Sequence, residues 1–270
     1  MEDNTLDFNF WPSFSDLMLT LVLILVIVVF AVIAAFSIGT DDLRKELTNT
    51  KGELAKVKTE QKEIAEALAK VEEKQKTLIR AIAAAYDVQW EDIDKWEDKE
   101  SKTNFFEIPI YLENGEYTEI QIQNEQKLQR YSFSDRILFR RNKYDLNEEG
   151  MRTLRFVGSK IEENLKDITE IQIQGHADPD RPANEPFFNL DLAASRAIEV
   201  YKFLKRSIRI DPASHLMSAT SFGEYKPVQR STDDSTYNRQ KLMQDNSTRA
   251  LKAKNRRIEI LLFYRLEQGD

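Results

Sequence analysis

The chain of 270 residues contains no cysteine, which excludes a disulfide framework and a thiolate metal site and leaves cytoplasm and periplasm both open. Histidine is nearly as scarce: only His176 and His215 occur, so metal-dependent or histidine-based catalysis has little to work with. Positive charge is not in excess. The net charge of −7 gives no reason to expect nucleic acid as a partner. No phosphate-binding loop, nucleophile motif or metal-spaced cluster appears, and the chain is not read as an enzyme that uses a cofactor.

What is present is strongly partitioned. Leu17 to Phe36 is an apolar run in which Thr20 is the one polar residue. At 1.5 Å per residue it is about 30 Å long, the thickness of a bilayer core. A cleaved signal peptide would have a shorter apolar region preceded by lysine or arginine, and Met1 to Ser15 has no basic residue. An uncleaved single span over residues 12–38 is therefore expected, after a tail of residues 1–11. Arg44 and Lys45 follow the span while Glu2, Asp3 and Asp7 precede it, so the positive-inside rule alone would put the C-terminal bulk in the cytoplasm. Pro12 suits a first helical position, which sets Asp16 about one turn inside the helix. A carboxylate at that depth needs a partner, water or a proton. The plain alternative is that Ser13, Ser15 or Asp16 caps the helix at the interface.

Residues 41–85 are charged and helix-favouring. A heptad register places Leu43, Thr50, Val57, Ile64, Val71 and Leu78 at d, and Leu47, Leu54, Gln61, Leu68 and Gln75 at a. Eight of these eleven are apolar, which favours a coiled coil over a solvated linker. Glu46 with Lys51, and Glu53 with Lys58, are g-to-e pairs of opposite sign, as expected between parallel strands. A parallel homodimer with a stalk of roughly 50 Å is the expectation, with an amphipathic helix lying on a neighbour as the alternative. Gln61 and Gln75 would weaken the seam or fix its register.

Residues 86–130 read as a connector holding a hairpin, with strands at Phe105–Leu112 and Tyr117–Gln123 around Asn114-Gly115. Beyond it the pattern predicts a strand at Tyr131–Phe139, a helix at Asn147–Asn164, a strand at Thr169–Gln174, a helix at Leu190–Leu204, and strands at Leu216–Phe222 and Ile258–Phe263. That β-α-β-α-β-β order implies an α/β sandwich with a small mixed sheet. The polar stretch from Tyr225 to Lys254 is expected to hold a lid or a short extra helix.

Within this region Gly175-His176-Ala177-Asp178, then Asn189-Leu190-Asp191-Leu192-Ala193-Ala194-Ser195-Arg196-Ala197, then Gly223 and Pro227, then Asn255-Arg256-Arg257-Ile258-Glu259-Ile260, resemble the OmpA-like peptidoglycan-binding domain. The resemblance covers residues 131–264, leaving 265–270 as a tail. It implies that Asp178 and Arg196 grip the diaminopimelate of the peptidoglycan stem peptide, and it makes Asn255 and Arg256 candidates for the same pocket. A carboxylate and a bidentate guanidinium are the matching pair for an ammonium and a carboxylate. Taken singly, Asp178 could be a turn residue before Pro179 and Arg196 a surface helix arginine. His176 is expected to be a structural, hydrogen-bonded histidine, and Arg257 to be solvated.

A peptidoglycan binder faces the periplasm, which would make the N-terminus cytoplasmic against the weak charge bias and place the chain in a bacterial inner membrane. Trp11-Pro12-Ser13-Phe14-Ser15-Asp16-Leu17-Met18 is similar to the membrane motif of the MotB family of stator subunits. That resemblance implies an ion-carrying Asp16, a ring of five MotA-like subunits as partner, and no covalent chemistry. The short acidic tail and the immediate heptad stalk look most like the MotB-like subunits (ZorB) of the Zorya anti-phage systems, whose ring partner is ZorA-like. The other readings are a flagellar torque generator and a passive wall tether. The transported ion is expected to be a proton, with sodium the alternative, and Thr20 a candidate ligand oxygen one turn beyond Asp16.

Overall fold

The computed structural model describes residues 10–111, 115, 117–140, 143–180, 188–230 and 234–266, without the side chains of 10–14, 38, 39, 41 and 42. The tail before residue 10, Asn114 of the expected hairpin turn, and residues 267–270 lie outside the described residues. The chain divides into two compact units between Lys62 and Glu63.

The first unit is the N-terminal part of one long helix, α1 (Phe10–Ala85). Its segment Ser15–Ser37, 23 residues, is long and apolar enough to cross a membrane, and none of it is buried. At 1.5 Å per residue that is ~35 Å, which suits a single-pass anchor. Asp16 lies well inside this helix, because α1 already includes Phe10; a capping role at the helix start does not fit. Along the stalk Leu43, Leu47, Leu54 and Val57 form an exposed apolar stripe. Thr50, the polar d position, satisfies its hydroxyl by donating to the Glu46 carbonyl at 2.8 Å.

The second unit begins inside the segment expected to be stalk, and this corrects the boundary at residue 85. From Glu63 to Ala85 the helix is part of an α/β domain, with Val71, Leu78, Ile79, Ile82 and Ala83 buried in its core. Gln75 does not weaken a seam. Its amide donates to the carbonyl of Glu125 at 3.1 Å, and its own carbonyl accepts from Gln129 at 3.1 Å. The heptad pattern over this part reports the domain's own sheet as the neighbour.

The domain then runs β1 (Asp94–Asp98), β2 (Thr103–Tyr111), β3 (Tyr117–Asn124), β4 (Leu128–Ser134), α2 (Asp135–Leu138), α3 (Glu148–Glu163), β5 (Ile168–His176), α4 (Phe188–Phe203), β6 (Leu216–Gly223), α5 (Arg239–Gln244), α6 (Arg249–Asn255) and β7 (Arg257–Tyr264). The strands form one seven-stranded sheet in the order β1-β2-β3-β4-β7-β5-β6. Every pairing is antiparallel except β5 with β6, which α4 connects as a crossover must. The β4-α3-β5-α4-β6-β7 part reproduces the expected order. The hairpin is not a separate connector, because β2 and β3 extend the same sheet. The acidic β1, read as connector, is its edge strand, and its charges discourage further pairing there.

One face of the sheet carries Ile108, Ile120, Ile122, Phe133, Ile173 and Ile260, all fully buried. The C-terminal part of α1, α3 through Leu154, Val157 and Ile161, and α4 through Ala197 and Val200 complete the core. The strand expected over Tyr131–Phe139 stops at Ser134, and Asp135–Leu138 turns into a short helix. That difference sets up the candidate site. Ile79 is fully buried, so Ile79→Ala is expected to destabilise the domain by about 2–5 kcal/mol. Urea unfolding followed by the fluorescence of Trp90, which lies 5.9 Å from Phe106, measures it; an unchanged midpoint would return this helix segment to a free stalk.

Candidate functional site

The site assembles where β4, β5, α4 and β7 meet. A glycine is required at the centre of this junction. A Cβ on Gly175 would lie 2.1 Å from the carbonyl oxygen of Ala193, so the backbone of α4 packs directly on β5. Three residues beyond Gly175 the chain presents Asp178, and three residues beyond Ala193 the helix presents Arg196. Ala177 ties the exit of β5 to β6 by donating to the carbonyl of Gly223 at 2.7 Å.

Asp178 is 5% exposed. One of its oxygens accepts the backbone N–H of Asp180 at 2.9 Å, and the other is paired with the Nη1 of Arg256. Arg196 is 3% exposed. Its Nε donates to the carbonyl of Lys143 at 3.0 Å, its Nη1 lies 3.3 Å from Oδ2 of Asp135, and its guanidinium sits 5.1 Å from the Phe139 ring centre. Burial pulls the Arg196 pKa down, while the Asp135 carboxylate opposes that shift; an arginine starts so high that it stays charged. Asp135 closes the set, because the same Oδ2 is 3.6 Å from Nε of Arg256.

The result is a chain of alternating charge, Arg196–Asp135–Arg256–Asp178, with two guanidiniums and two carboxylates and no net charge. Arg256 is its most accessible member, with 27% of its side chain exposed. One acceptor of this set, Oδ1 of Asp135, is buried without a hydrogen-bond partner among the described residues, as is Nδ2 of Asn189 in the first turn of α4. A zwitterionic group is the chemistry such a set can read, its ammonium on the carboxylates and its carboxylate on the guanidiniums.

The structure thus brings Asp178, Arg196 and Arg256 together and adds Asp135, which sequence reading missed because it lay inside an expected strand. Asn255 is placed differently. It is buried, its Oδ1 accepts from the Val228 N–H at 2.9 Å, and its Nδ2 donates to the Asp245 carbonyl at 3.1 Å and to Asn246 Oδ1 at 2.7 Å. Asn255 pins the 225–254 stretch from inside instead of offering a free amide. That stretch folds into α5 and α6, and Lys252 of α6 reaches Asp180 Oδ1 at 2.6 Å beside the site.

Arg257 is buried, not solvated, with its Nε 2.8 Å from Glu259 Oε1. Glu259 also holds Arg130 at 2.6 Å. His176 stacks on Phe222 with ring centres 5.3 Å apart, and its Nε2 is 3.5 Å from Glu259 Oε2, beyond a good hydrogen bond. At the other end of the chain Asp16 and Thr20 share one face of α1, and the Thr20 hydroxyl donates to the Asp16 carbonyl at 2.8 Å.

An α/β domain with a charge-neutral junction of two arginines and two aspartates at the ends of β4, β5 and β7 is the class these features define. Residues 138–242 match the OmpA family, and the domain is OmpA-like. The matched stretch holds Asp178 and Arg196 and stops short of Asn255 and Arg256. Among solved structures, the periplasmic domain of Helicobacter pylori MotB is 21% identical, with 58% of this chain and 87% of that chain covered and a TM-score of 0.42. A putative MotB-like protein from Desulfovibrio vulgaris is 20% identical over 56% of this chain and 82% of that chain, with a TM-score of 0.43. The cell wall anchor of the type VI secretion system from Pseudomonas aeruginosa is 20% identical over 54% and 88%, with a TM-score of 0.41. No curated protein sequence matches the chain.

Burial pushes the His176 imidazole down to about 4 from its ordinary 6.5. The unfolded chain therefore binds this proton first, and the domain loses stability as pH falls from 6.5 towards 4, by at most about 3 kcal/mol. Glu259, held well below its usual range despite burial by Arg257, His176 and Arg130, contributes in the same direction at lower pH. Replacing the histidine by His176→Gln is expected to flatten unfolding midpoints measured between pH 6.5 and 4.

Proposed function

We propose that this chain is the wall-anchored, ion-carrying central subunit of a rotary motor of the MotA–MotB kind in the bacterial inner membrane, of the type found in Zorya anti-phage systems. The observation that carries the reading is the pairing, in one chain, of an OmpA-like domain that holds a buried, alternating charge set with a membrane-length helix that carries a carboxylate, Asp16, near its N-terminal end.

At the wall, the ligand is the diaminopimelate of the stem peptide. Its side-chain ammonium takes the place of Arg256 on Asp178, and its carboxylate engages Arg196 and the displaced Arg256. Because the junction is neutral before and after, the exchange leaves no unpaired charge in a buried place, which would otherwise cost several kcal/mol. This reading sets the domain in the periplasm and the N-terminus in the cytoplasm. The exposed stripe of Leu43, Leu47, Leu54 and Val57 supports a second copy as its partner, giving a parallel homodimer.

In the membrane, a pentameric MotA-like ring surrounds the paired spans. Asp16 accepts an ion from one side and releases it to the other. Neutralising a desolvated carboxylate changes its interactions by several kcal/mol, enough to change which ring interface it prefers. One carboxylate suffices for a proton, which favours a proton over sodium; the Thr20 hydroxyl donates to the Asp16 carbonyl and keeps its oxygen lone pairs. The wall holds the dimer, and the ring turns around it. Perturbation of the envelope by phage would be the signal passed inwards.

Asp178→Asn and Arg196→Lys are each expected to lower binding of the detergent-solubilised full chain to diaminopimelate-type sacculi by tenfold or more in a pull-down, with folding checked by circular dichroism. Retained binding in both folded variants would remove the wall-anchor assignment. Asp16→Asn, co-expressed with its ring partner, is expected to abolish ion flux and phage protection while the complex still assembles. Persistence of both would make the protein a passive tether, and loss of motility in place of protection would make it a flagellar subunit.

A further inference from the structure

Strands β1, β2 and β3 all precede residue 138, where the match to the OmpA family begins. Phe106, Ile108 and Ile110 of β2 are buried in the core, so Phe105, Glu107, Pro109 and Tyr111 line the opposite face. Register sets Trp96 beside Phe105, Asp94 beside Glu107, Pro109 beside Glu119 and Tyr111 beside Tyr117. Each end of this face is therefore an aromatic pair. Trp96 stacks flat on Phe105 at 5.2 Å, and Tyr111 meets Tyr117 edge-on at 5.7 Å. Trp96, Tyr111 and Tyr117 are 47%, 77% and 60% exposed, an open aromatic surface of the kind that marks an interaction site. From Phe105 to Tyr111 the face runs about 20 Å along β2.

Between the two aromatic pairs stand the carboxylates of Asp94, Glu107 and Glu119. Gln121 spreads one amide over two of them, donating to Glu107 at 2.9 Å and to Glu119 at 2.8 Å. Burial, with Glu119 and Asp94 nearby, raises the Glu107 pKa, and Lys254 opposes the shift. Positive charge stands only at the borders. Lys254 of α6 lies 3.5 Å from Glu119, and Arg136 and Arg257 line the cavity on the β4 side of that carboxylate. Arg257 and Arg130 are both held by Glu259, at 2.8 and 2.6 Å. In the β1–β2 turn Lys99 and Lys102 are balanced by Asp98 and Glu100. Lys95 takes the other face of β1, with its Nζ 4.5 Å from the Trp90 ring centre. Among the described residues, the three strands thus present carboxylates on this face and no cation of their own.

We infer that this face is a docking surface for an arginine-bearing segment of a partner protein, laid along β2 in extended form. Charge complementarity selects the occupant. An extended segment sets the side chains of one side about 7 Å apart, so three of them reach down over the length of the face. A guanidinium suits the lining better than an ammonium, because its plane stacks on an aromatic ring while its fork engages a carboxylate. It also relieves the crowding of like charge around Glu107, which one amide now shares with Glu119. A second copy of this chain is the poorer fit, since its net charge of −7 opposes an acidic surface. The face shares no residue with the Arg196–Asp135–Arg256–Asp178 set, and the inference does not rest on the wall reading.

The test is fluorescence anisotropy on the full chain in neutral detergent at physiological salt. The probe is a labelled peptide, Ser-Arg-Thr-Arg-Thr-Arg with blocked ends, and its control carries citrulline at each arginine, which keeps the shape and removes the charge. The arginine peptide is expected to bind at least tenfold tighter than the citrulline peptide. Trp96→Ala, an exposed position whose loss spares the core, and Glu107→Gln combined with Glu119→Gln are each expected to weaken it at least fivefold, with folding checked by circular dichroism. Glu91→Gln combined with Glu162→Gln, at exposed carboxylates off this face, is expected to leave binding within twofold. Absence of saturable binding, equal binding of the citrulline peptide, or undiminished binding in either folded variant overturns the docking surface. An equal loss in the Glu91 and Glu162 control overturns it as well, because the attraction would then belong to the acidic chain as a whole.

Discussion

The contact between Gly175 and the backbone of Ala193 sets the geometry on which the site depends. With only a hydrogen at Gly175, α4 lies against β5 closely enough that any side chain there would overlap the Ala193 carbonyl. That separation decides how far Asp178, which leaves β5, stands from Arg196, which leaves α4. It also draws the end of β6 inward, so that Gly223 accepts from Ala177. Close-packed interiors transmit such constraints because they have no slack to absorb them. An added methyl at Gly175 would push the helix away from the strand, and the charged junction would open with it.

The junction itself is not there for stability. Four charges are held at low exposure, and a buried ion pair seldom repays its desolvation relative to apolar residues of the same volume. Arg196 shows the cost, since burial lowers its proton affinity even with Asp135 beside it. The second charged group on the outer face, around Glu259, is more fully engaged: it serves Arg130 and Arg257 at hydrogen-bond distance and has His176 within 3.5 Å. The two groups differ in what remains open. The Glu259 group is closed over by the 225–254 stretch through Lys226 and Asn255, whereas the Asp178 group keeps its most exposed member, Arg256, at the rim.

Much of the domain was legible from periodicity. The helices at Glu148–Glu163 and Phe188–Phe203, the β2–β3 hairpin and the strands β5, β6 and β7 follow from alternation and 3.6-residue spacing. Three things were not, each for a physical reason. An amphipathic helix buries its stripe against whatever is nearest, and the pattern of Val71, Gln75 and Leu78 is the same whether the neighbour is a second helix or the sheet. Strand β1 is charged at every position but Trp96 and carries no run of alternating apolar residues, because an edge strand exposed on both faces needs none. Asp135 belongs to the site through contacts with residues 61 and 121 positions later in the chain, Arg196 and Arg256, and local sequence does not encode such distant meetings. Asp178 and Arg196 belong to a motif whose members fall together in space, while Asn255, expected from the same motif to line the pocket, is buried and serves the loop and not the cluster.

Neutrality of the junction also bears on which wall the protein can hold in the proposed reading. An incoming zwitterion replaces one internal ion pair with two external ones and leaves every buried charge compensated. A stem peptide with lysine at the same position brings the ammonium without the carboxylate. It could displace Arg256 from Asp178, but Arg256 would then face Arg196 with only Asp135 between them, and one guanidinium would remain uncompensated in a place of low solvation. That mismatch costs on the order of 1.5–3 kcal/mol per missing charged hydrogen bond. Discrimination then comes from what the wrong ligand leaves unpaired more than from what the right one gains. Such selectivity follows from the alternating order of the four side chains, and it needs no steric block.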